Sequence, residues 1–284
     1  MGNFTKDLQT RLRTKGASEG RCVICKSYGR LTRDHVPPAA CGNNRDVILK
    51  AFGTVSHQNT KSGFISQGGT NFRTICGTCN SGLLGTRYDP ELIAFCAKVK
   101  AYMIATHVNG LTLPSSEFIS AKPQLIARSL VGHMLAAHAV DFLDAPPPPS
   151  PYWTGLREYF LDETLDAPEP LDIYYWVYPY KQKRILRALS IVTLGQGDGV
   201  MGDILKFFPL AFWLTWGKPR KKRMHHPNLL AFKNCGPDEV ARIFINYANI
   251  PPIDYPEAPK DDQAVLICSG MTSFADTRER KPVA

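Results

Sequence analysis

Apolar residues along this chain recur in two rhythms, and the change from one to the other divides it. Phe4, Leu8 and Leu12 repeat every four positions and predict a short helix over 3–15, with Arg11, Arg13 and Lys15 on its solvated side and Gly16 and Gly20 ending it. A hairpin is expected next, turning at the first cysteine pair, with a strand near 30–34. From 39 to 69 the composition shifts to Gly, Asn, Ser, Thr and Gln, broken by Val47-Ile48-Leu49, and reads as a loop able to act as a flap. A short helix follows Asn80 and is expected to stop near Gly85. Asp89 then caps a longer helix with Pro90 in its first turn, and Leu92, Phe95, Cys96, Val99 and Met103 line one face. A further helix over 123–143 carries Leu125, Ile126, Leu130, Met134, Ala137 and Phe142.

Ala145-Pro146-Pro147-Pro148-Pro149-Ser150-Pro151 interrupts the helical rhythm and predicts a stiff polyproline II spacer. Beyond it, β-branched and aromatic runs predict strands at 173–178, 185–194, 205–216 and 229–232, while 238–247 reads equally as helix or strand. Gly195-Gln196-Gly197-Asp198-Gly199 lacks the Lys-Ser/Thr of a phosphate loop and reads as a hairpin turn. The expected fold class is α+β. Residues 1–144 would form one domain with a helical extension, 145–151 a linker, and 152–284 a β-rich α+β C-terminal domain.

Composition narrows the class. A chain of 284 residues, 44% hydrophobic and 21% charged, has the make-up of a soluble globular protein with room for two cores. The longest apolar run, 204–216, contains Lys206 and Pro209 and is too short for a bilayer; the first residues carry no apolar leader. A cytoplasmic location off the membrane is therefore expected, with Cys41, Cys96, Cys235 and Cys268 as free thiols. The net charge of +9 is unevenly placed: residues 1–100 hold 15 Lys and Arg against 6 Asp and Glu, and the remainder balances. Such a local positive field suits a polyanionic partner.

Four cysteines alter the picture most. Cys22-Val23-Ile24-Cys25 and Cys76-Gly77-Thr78-Cys79 supply thiolates at the pair spacing of a tetrahedral structural zinc. Between and just after them stand Arg33-Asp34-His35-Val36-Pro37, Asn71 and Asn80. Carboxylate and amide oxygens are hard ligands suited to Mg²⁺ or Mn²⁺, and an adjacent imidazole can take a proton from water. Taken in that order, these residues resemble the HNH (ββα-metal) endonucleases, particularly their zinc-containing branch. The resemblance covers about residues 20–85, and the span from His35 to Asn71 is longer than in compact family members. It implies a zinc-stapled ββα-metal domain in which His35 activates the attacking water and Asn71 braces the loop carrying it. Asp34 and Asn80 would hold one Mg²⁺ or Mn²⁺ against the phosphate. Strand alternation puts Asp34 on the side opposite His35 unless the turn at Pro37-Pro38 re-aims it.

The activity so implied is hydrolysis of DNA phosphodiester bonds. The C-terminal domain would target, regulate or oligomerise the cutter and take any regulatory protein or ligand, a layout suited to a restriction or anti-phage effector. Arg33, Arg73 and the run Lys218, Arg220, Lys221, Lys222 and Arg223 are the expected phosphate contacts; a solvated hairpin tip is the plainer account of that run. Cutting both strands would call for a homodimer. His133 and His138 lie five apart on the 123–143 helix and read as packing or surface residues. Two competing readings remain: a zinc module that binds nucleic acid without cutting it, and a nickase or RNase of the same fold.

Overall fold

The computed structural model describes residues 18–51, 64–108, 114–137, 150–193, 199–217, 226–257, 264–267 and 274–279. The helix expected over 3–15, the prolines at 146–149, the turn at 195–198 and the basic run at 218–223 lie outside the described residues. The architecture is α+β, with three sheets and three α-helices among the described residues.

A three-stranded antiparallel sheet near the N-terminus is formed by β1 (Glu19–Arg21), β2 (Tyr28–His35) and β5 (Asn71–Cys76), in the order β1-β2-β5. From β5 the chain passes into a π-helical segment, Thr78–Tyr88, and on without a break into α1 (Asp89–Val108). The stop expected at Gly85 does not occur: the backbone N–H of Asp89 bonds back to Leu84, and Leu84 and Tyr88 are fully buried, holding the coil on the core. Asp89 is accordingly helical and is not a cap; its carboxylate turns to another element.

That element is α2 (Pro123–Ala136), every residue of which is buried. It is apolar on more than one face, as a central helix must be, and its polar residues are all engaged. Gln124 donates to the Phe232 carbonyl at 2.8 Å, and Arg128 donates to the carbonyls of Asp162, Glu163 and Leu165 at 2.8–3.1 Å. Gly132 admits the ring of Phe160 and the side chain of Leu84, which a Cβ would meet. Phe160 belongs to α3 (Pro151–Leu161), a helix absent from the sequence reading. Its signal was present: Ser150 Oγ accepts from the Trp153 N–H at 3.1 Å and Pro151 occupies the first turn, but the preceding prolines masked that start.

The eight-stranded antiparallel sheet runs β4 (Phe64–Ser66), β3 (Val47–Ala51), β13 (Phe274–Glu279), β8 (Arg184–Thr193), β9 (Gly199–Phe207), β10 (Leu210–Trp216) and β7 (Leu171–Val177), with β12 (Ala264–Ile267) also on β8. The 39–69 stretch, expected as loop, thus contributes two strands. A short strand, β6 (Ser116–Ala121), pairs with β11 (Ala241–Asn246), resolving the helix-or-strand choice there. Strands from both sides of 145–151 therefore share sheets, and one cluster of buried residues extends from Cys22 to Tyr247.

The run expected as one strand at 205–216 is a hairpin that turns at Phe208-Pro209. On β10, Leu210, Phe212 and Leu214 enter the main core, while Ala211 and Trp213 join Trp176, Tyr178, Leu186, Leu189 and Ile204 in a second cluster. Burial on both faces explains why the sequence there is continuously apolar. Leu229–Phe232 is a 3-10 turn, started by Asn228 Oδ1 accepting from the Leu230 N–H at 2.9 Å. No helix among the described residues is long and apolar enough to cross a membrane.

Candidate active site and metal centre

Cys22 follows β1 directly, in a tight turn closed by Cys22 N–H to Ser27 O at 2.8 Å and Lys26 N–H to Cys22 O at 2.9 Å. Lys26 adopts φ 64° to complete it. Cys76 ends β5, and Cys79 lies in the first turn of the π-helical segment. The four sulfurs of Cys22, Cys25, Cys76 and Cys79 all lie within 4.8 Å of one another, and Cys25 and Cys76 are 3.6 Å apart. Tetrahedral zinc with bonds of about 2.3 Å sets sulfurs roughly 3.8 Å apart, whereas a disulfide needs about 2 Å. The cysteines are free thiols, and the cluster could hold a metal such as zinc.

Its electrostatics agree with that. A hydrogen bond with Cys79 pulls the Cys22 thiol down to about 5, while the same contact and burial push Cys79 up, so four crowded sulfurs without a cation cannot all ionise. Arg157 of α3, only 4% exposed, donates from Nε to the carbonyl of Val23 at 2.7 Å, between the first two cysteines. Burial lowers its pKa and the nearby Cys22 raises it, placing a buried cation beside a cluster that would carry surplus negative charge around Zn²⁺.

The β2/β5 hairpin sets His35 directly opposite Asn71. The register slips between Thr32 and Asp34, opposite Phe72 to Ile75, and this bulge re-aims the strand end. The slip lies where the helical segment touches the hairpin: Asn80 Nδ2 donates to the Arg33 carbonyl at 2.8 Å and to Thr32 Oγ1 at 3.0 Å. His35 is half-buried and its Nε2 lies 3.0 Å from the Gly68 carbonyl. A carbonyl can only accept, so Nε2 carries the hydrogen and the neutral ring keeps its lone pair on Nδ1. Asn71 Nδ2 donates to the carbonyl of Gly69 at 3.2 Å, bracing the loop that holds His35.

Asn43 is a further part of this support that the sequence reading did not include. Fully buried, it donates to the carbonyls of Pro37 and Thr70 at 2.7 and 2.9 Å and accepts from the Thr70 N–H at 2.8 Å. It therefore ties the turn after His35 to the loop before Asn71. Gly69 stands at φ 99° against the Asn43 backbone, where a Cβ would collide. An Asn within a Gly/Asn-rich stretch gave no sequence cue to this role.

Asp34 faces the other way, as strand alternation suggested. It is 4% exposed, and its Oδ2 lies 3.1 Å from Nδ1 of His133, whose Nε2 is 2.9 Å from Asp89 Oδ1. Ser129 Oγ donates to the same Asp89 oxygen at 2.7 Å. His133 thus bridges β2, α1 and α2 and is more than a packing residue. Burial opposes its charge, but the carboxylates of Asp89 and Asp34 more than reverse this, holding it well above the usual histidine value. Burial likewise works to raise Asp89, and the His133 charge with the Ser129 hydroxyl brings it below the carboxylate range. Asp34 is lifted by burial against the pull of His133.

Of the other expected contacts, Arg33 is exposed and Arg73 half-buried, whereas Lys218, Arg220, Lys221, Lys222 and Arg223 lie outside the described residues. His226, the described member of the His225-His226 pair, stacks near Trp176 in the C-terminal half. Set against family models, curated proteins and solved structures, the chain matches none.

Proposed function

We propose that this chain is a metal-dependent endonuclease of the HNH type that hydrolyses DNA phosphodiester bonds. The observation that carries the reading is the Asn80 tie to the Arg33 carbonyl, which seats the start of the helical segment on the strand that ends in His35. The cysteine cluster pins both partners of that contact, because Cys79 precedes Asn80 and Cys22 and Cys25 precede β2. His35 Nδ1, with Nε2 held by Gly68, takes the proton from the attacking water. Asn71 and Asn43 keep the loop that orients that ring.

Asn80 fits a divalent cation through Oδ1, since Nδ2 is engaged and, among the described residues, no hydrogen bond reaches the oxygen. Asp34, facing away from His35, 4% exposed and with Oδ2 held by His133, is not placed to share that cation. A bound Mg²⁺ or Mn²⁺ supplies stabilisation of the negative charge that builds on phosphate and leaving oxygen. By fold analogy alone, a restriction or anti-phage role in the cytoplasm, acting as a homodimer, suits the layout.

The test is cleavage of supercoiled plasmid by wild type, His35→Ala and Asn80→Ala, with Mg²⁺ and with chelator, beside single-stranded DNA and RNA. Wild type cuts DNA only with the cation, and both variants lose the activity. Equal nicking in all lanes, or none with zinc-loaded protein, would leave a non-catalytic zinc-dependent binder; cutting confined to one strand or to RNA would leave a nickase or RNase.

A further inference from the structure

A cavity of about 490 Å³ in the C-terminal half is lined by no residue of the hairpin or of the cysteine cluster. Three rings stand in its wall. Trp176 of β7 and His226 lie 5.1 Å apart at 31°, and Tyr255 meets both edge-on, 5.5 Å from Trp176 and 5.3 Å from His226. Val177, Leu210, Ile245 and Ile250 add aliphatic wall. The frame is held in place before any ligand arrives. Buried Lys206 donates to the carbonyls of Ile253 and Tyr255 at 2.7 and 2.9 Å, and Tyr180 donates to that of Pro251 at 3.1 Å. On the opposite side, the Pro227 carbonyl accepts from Tyr175 N–H at 3.1 Å.

Asn246 and Asn249 also line it. Asn246 Oδ1 accepts from the Ala248 N–H at 2.9 Å, and among the described residues neither its NH₂ nor the Asn249 side chain makes a further hydrogen bond. Among the described residues, no Asp, Glu, Lys or Arg lines the cavity. Against the described lining, an occupant presents a flat apolar face and a donor–acceptor edge. A sugar would bring more hydroxyls than two amides satisfy. A quaternary ammonium would want several ring faces turned to one centre, whereas Trp176 and His226 each turn one face to the other.

We infer that this cavity binds a single nucleobase, stacked against the partly exposed His226 and Tyr255 rings, which buried Trp176 backs, with its hydrogen-bonding edge on Asn246 and Asn249. The base belongs either to a free nucleotide or to an unpaired residue of a strand. The inference is independent of the cutting proposal, since it uses none of the hairpin residues.

The zinc-loaded full chain is titrated calorimetrically with adenosine, guanosine, cytidine and uridine, with their 5′-monophosphates, with short single strands, and with ribose and choline as controls. At least one nucleoside saturates the protein, ribose and choline do not, and His35→Ala binds like wild type. Tyr255→Leu weakens that binding roughly 5- to 150-fold, the range for losing one stacking partner. Asn249→Ala, on an exposed turn and so safe for folding, weakens it and changes the order of preference among the bases. Tighter binding of single strands than of monophosphates assigns the site to a strand; the reverse assigns it to a free nucleotide. The inference is overturned if no nucleoside saturates by about 10 mM, a level that corresponds to negligible affinity. It is equally overturned if choline or ribose competes, or if folded Asn249→Ala binds all four bases as wild type does.

Discussion

Replacing His133 by leucine tests whether the bridge behind the hairpin holds the site together. His133 is fully buried, Asp34 is 4% exposed and Asp89 13%. Leucine fills most of the ring's space but removes both contacts, at 3.1 and 2.9 Å. Asp89 keeps the Ser129 hydroxyl and is 13% exposed; among the described residues Asp34 has no other hydrogen-bond partner, so the stranded carboxylate is mainly Asp34. Breaking a buried charged pair from one side costs about 3–5 kcal/mol, and that range is expected here. Asp34→Asn in the same background leaves no stranded charge, and the double variant should regain at least about 1 kcal/mol relative to additivity. Urea unfolding of the zinc-loaded protein, followed by far-ultraviolet circular dichroism, gives all four stabilities. Since Asp34 lies between Arg33, which receives Asn80, and His35, plasmid cleavage should fall with His133→Leu even where the protein remains folded. A loss under about 1 kcal/mol, or strict additivity of the two changes, would refute a bridge of this kind.

Two further outcomes follow from the same contacts. Cys76→Ser, or extraction with a strong chelator, should abolish stoichiometric zinc measured by elemental analysis and collapse the hairpin, because structural zinc in small sites supplies about 10–16 kcal/mol of apparent binding energy. Retention of full circular dichroism and plasmid cleavage without zinc would contradict the staple. Lys206, held down to about 8 by burial despite the pull of Glu257, gives a pH test. An unfolded lysine titrates near 10.4, so between about pH 8 and 10 the unfolded chain binds the extra proton and stability gains up to about 1.4 kcal/mol per pH unit from this group. Below pH 8 that gain is absent. Lys206→Met should remove this rising component, so wild type minus variant stability climbs with pH in urea melts; a flat difference would mean that Lys206 keeps its ordinary pKa in the fold.

What could be read from the chain depended on how far apart the interacting residues lie. The cysteine pairs were legible because each turn fixes their spacing within about four residues, and the structure gathers all four sulfurs. Val47–Ala51 was not, because a polar setting hides a strand whose partner, β13, comes from the far end of the chain. The hairpin at Phe208-Pro209 was hidden for the opposite reason: both faces are covered, so its sequence lacks alternation and runs on as one apolar block. His133 is the instructive case. Judged only by its distance from His138, it carried no signal, since its partners lie on β2 and α1. A physical cue was nevertheless available on its own helix, where Leu125, Ile126, Leu130, Val131, Met134 and Leu135 occupy more faces than a surface helix can bury. A helix surrounded by core must bury its polar residues as well, and a buried imidazole needs partners on both nitrogens. The carboxylates at Asp34 and Asp89 meet that need, which is why a residue of α2 bears on the strand that carries His35.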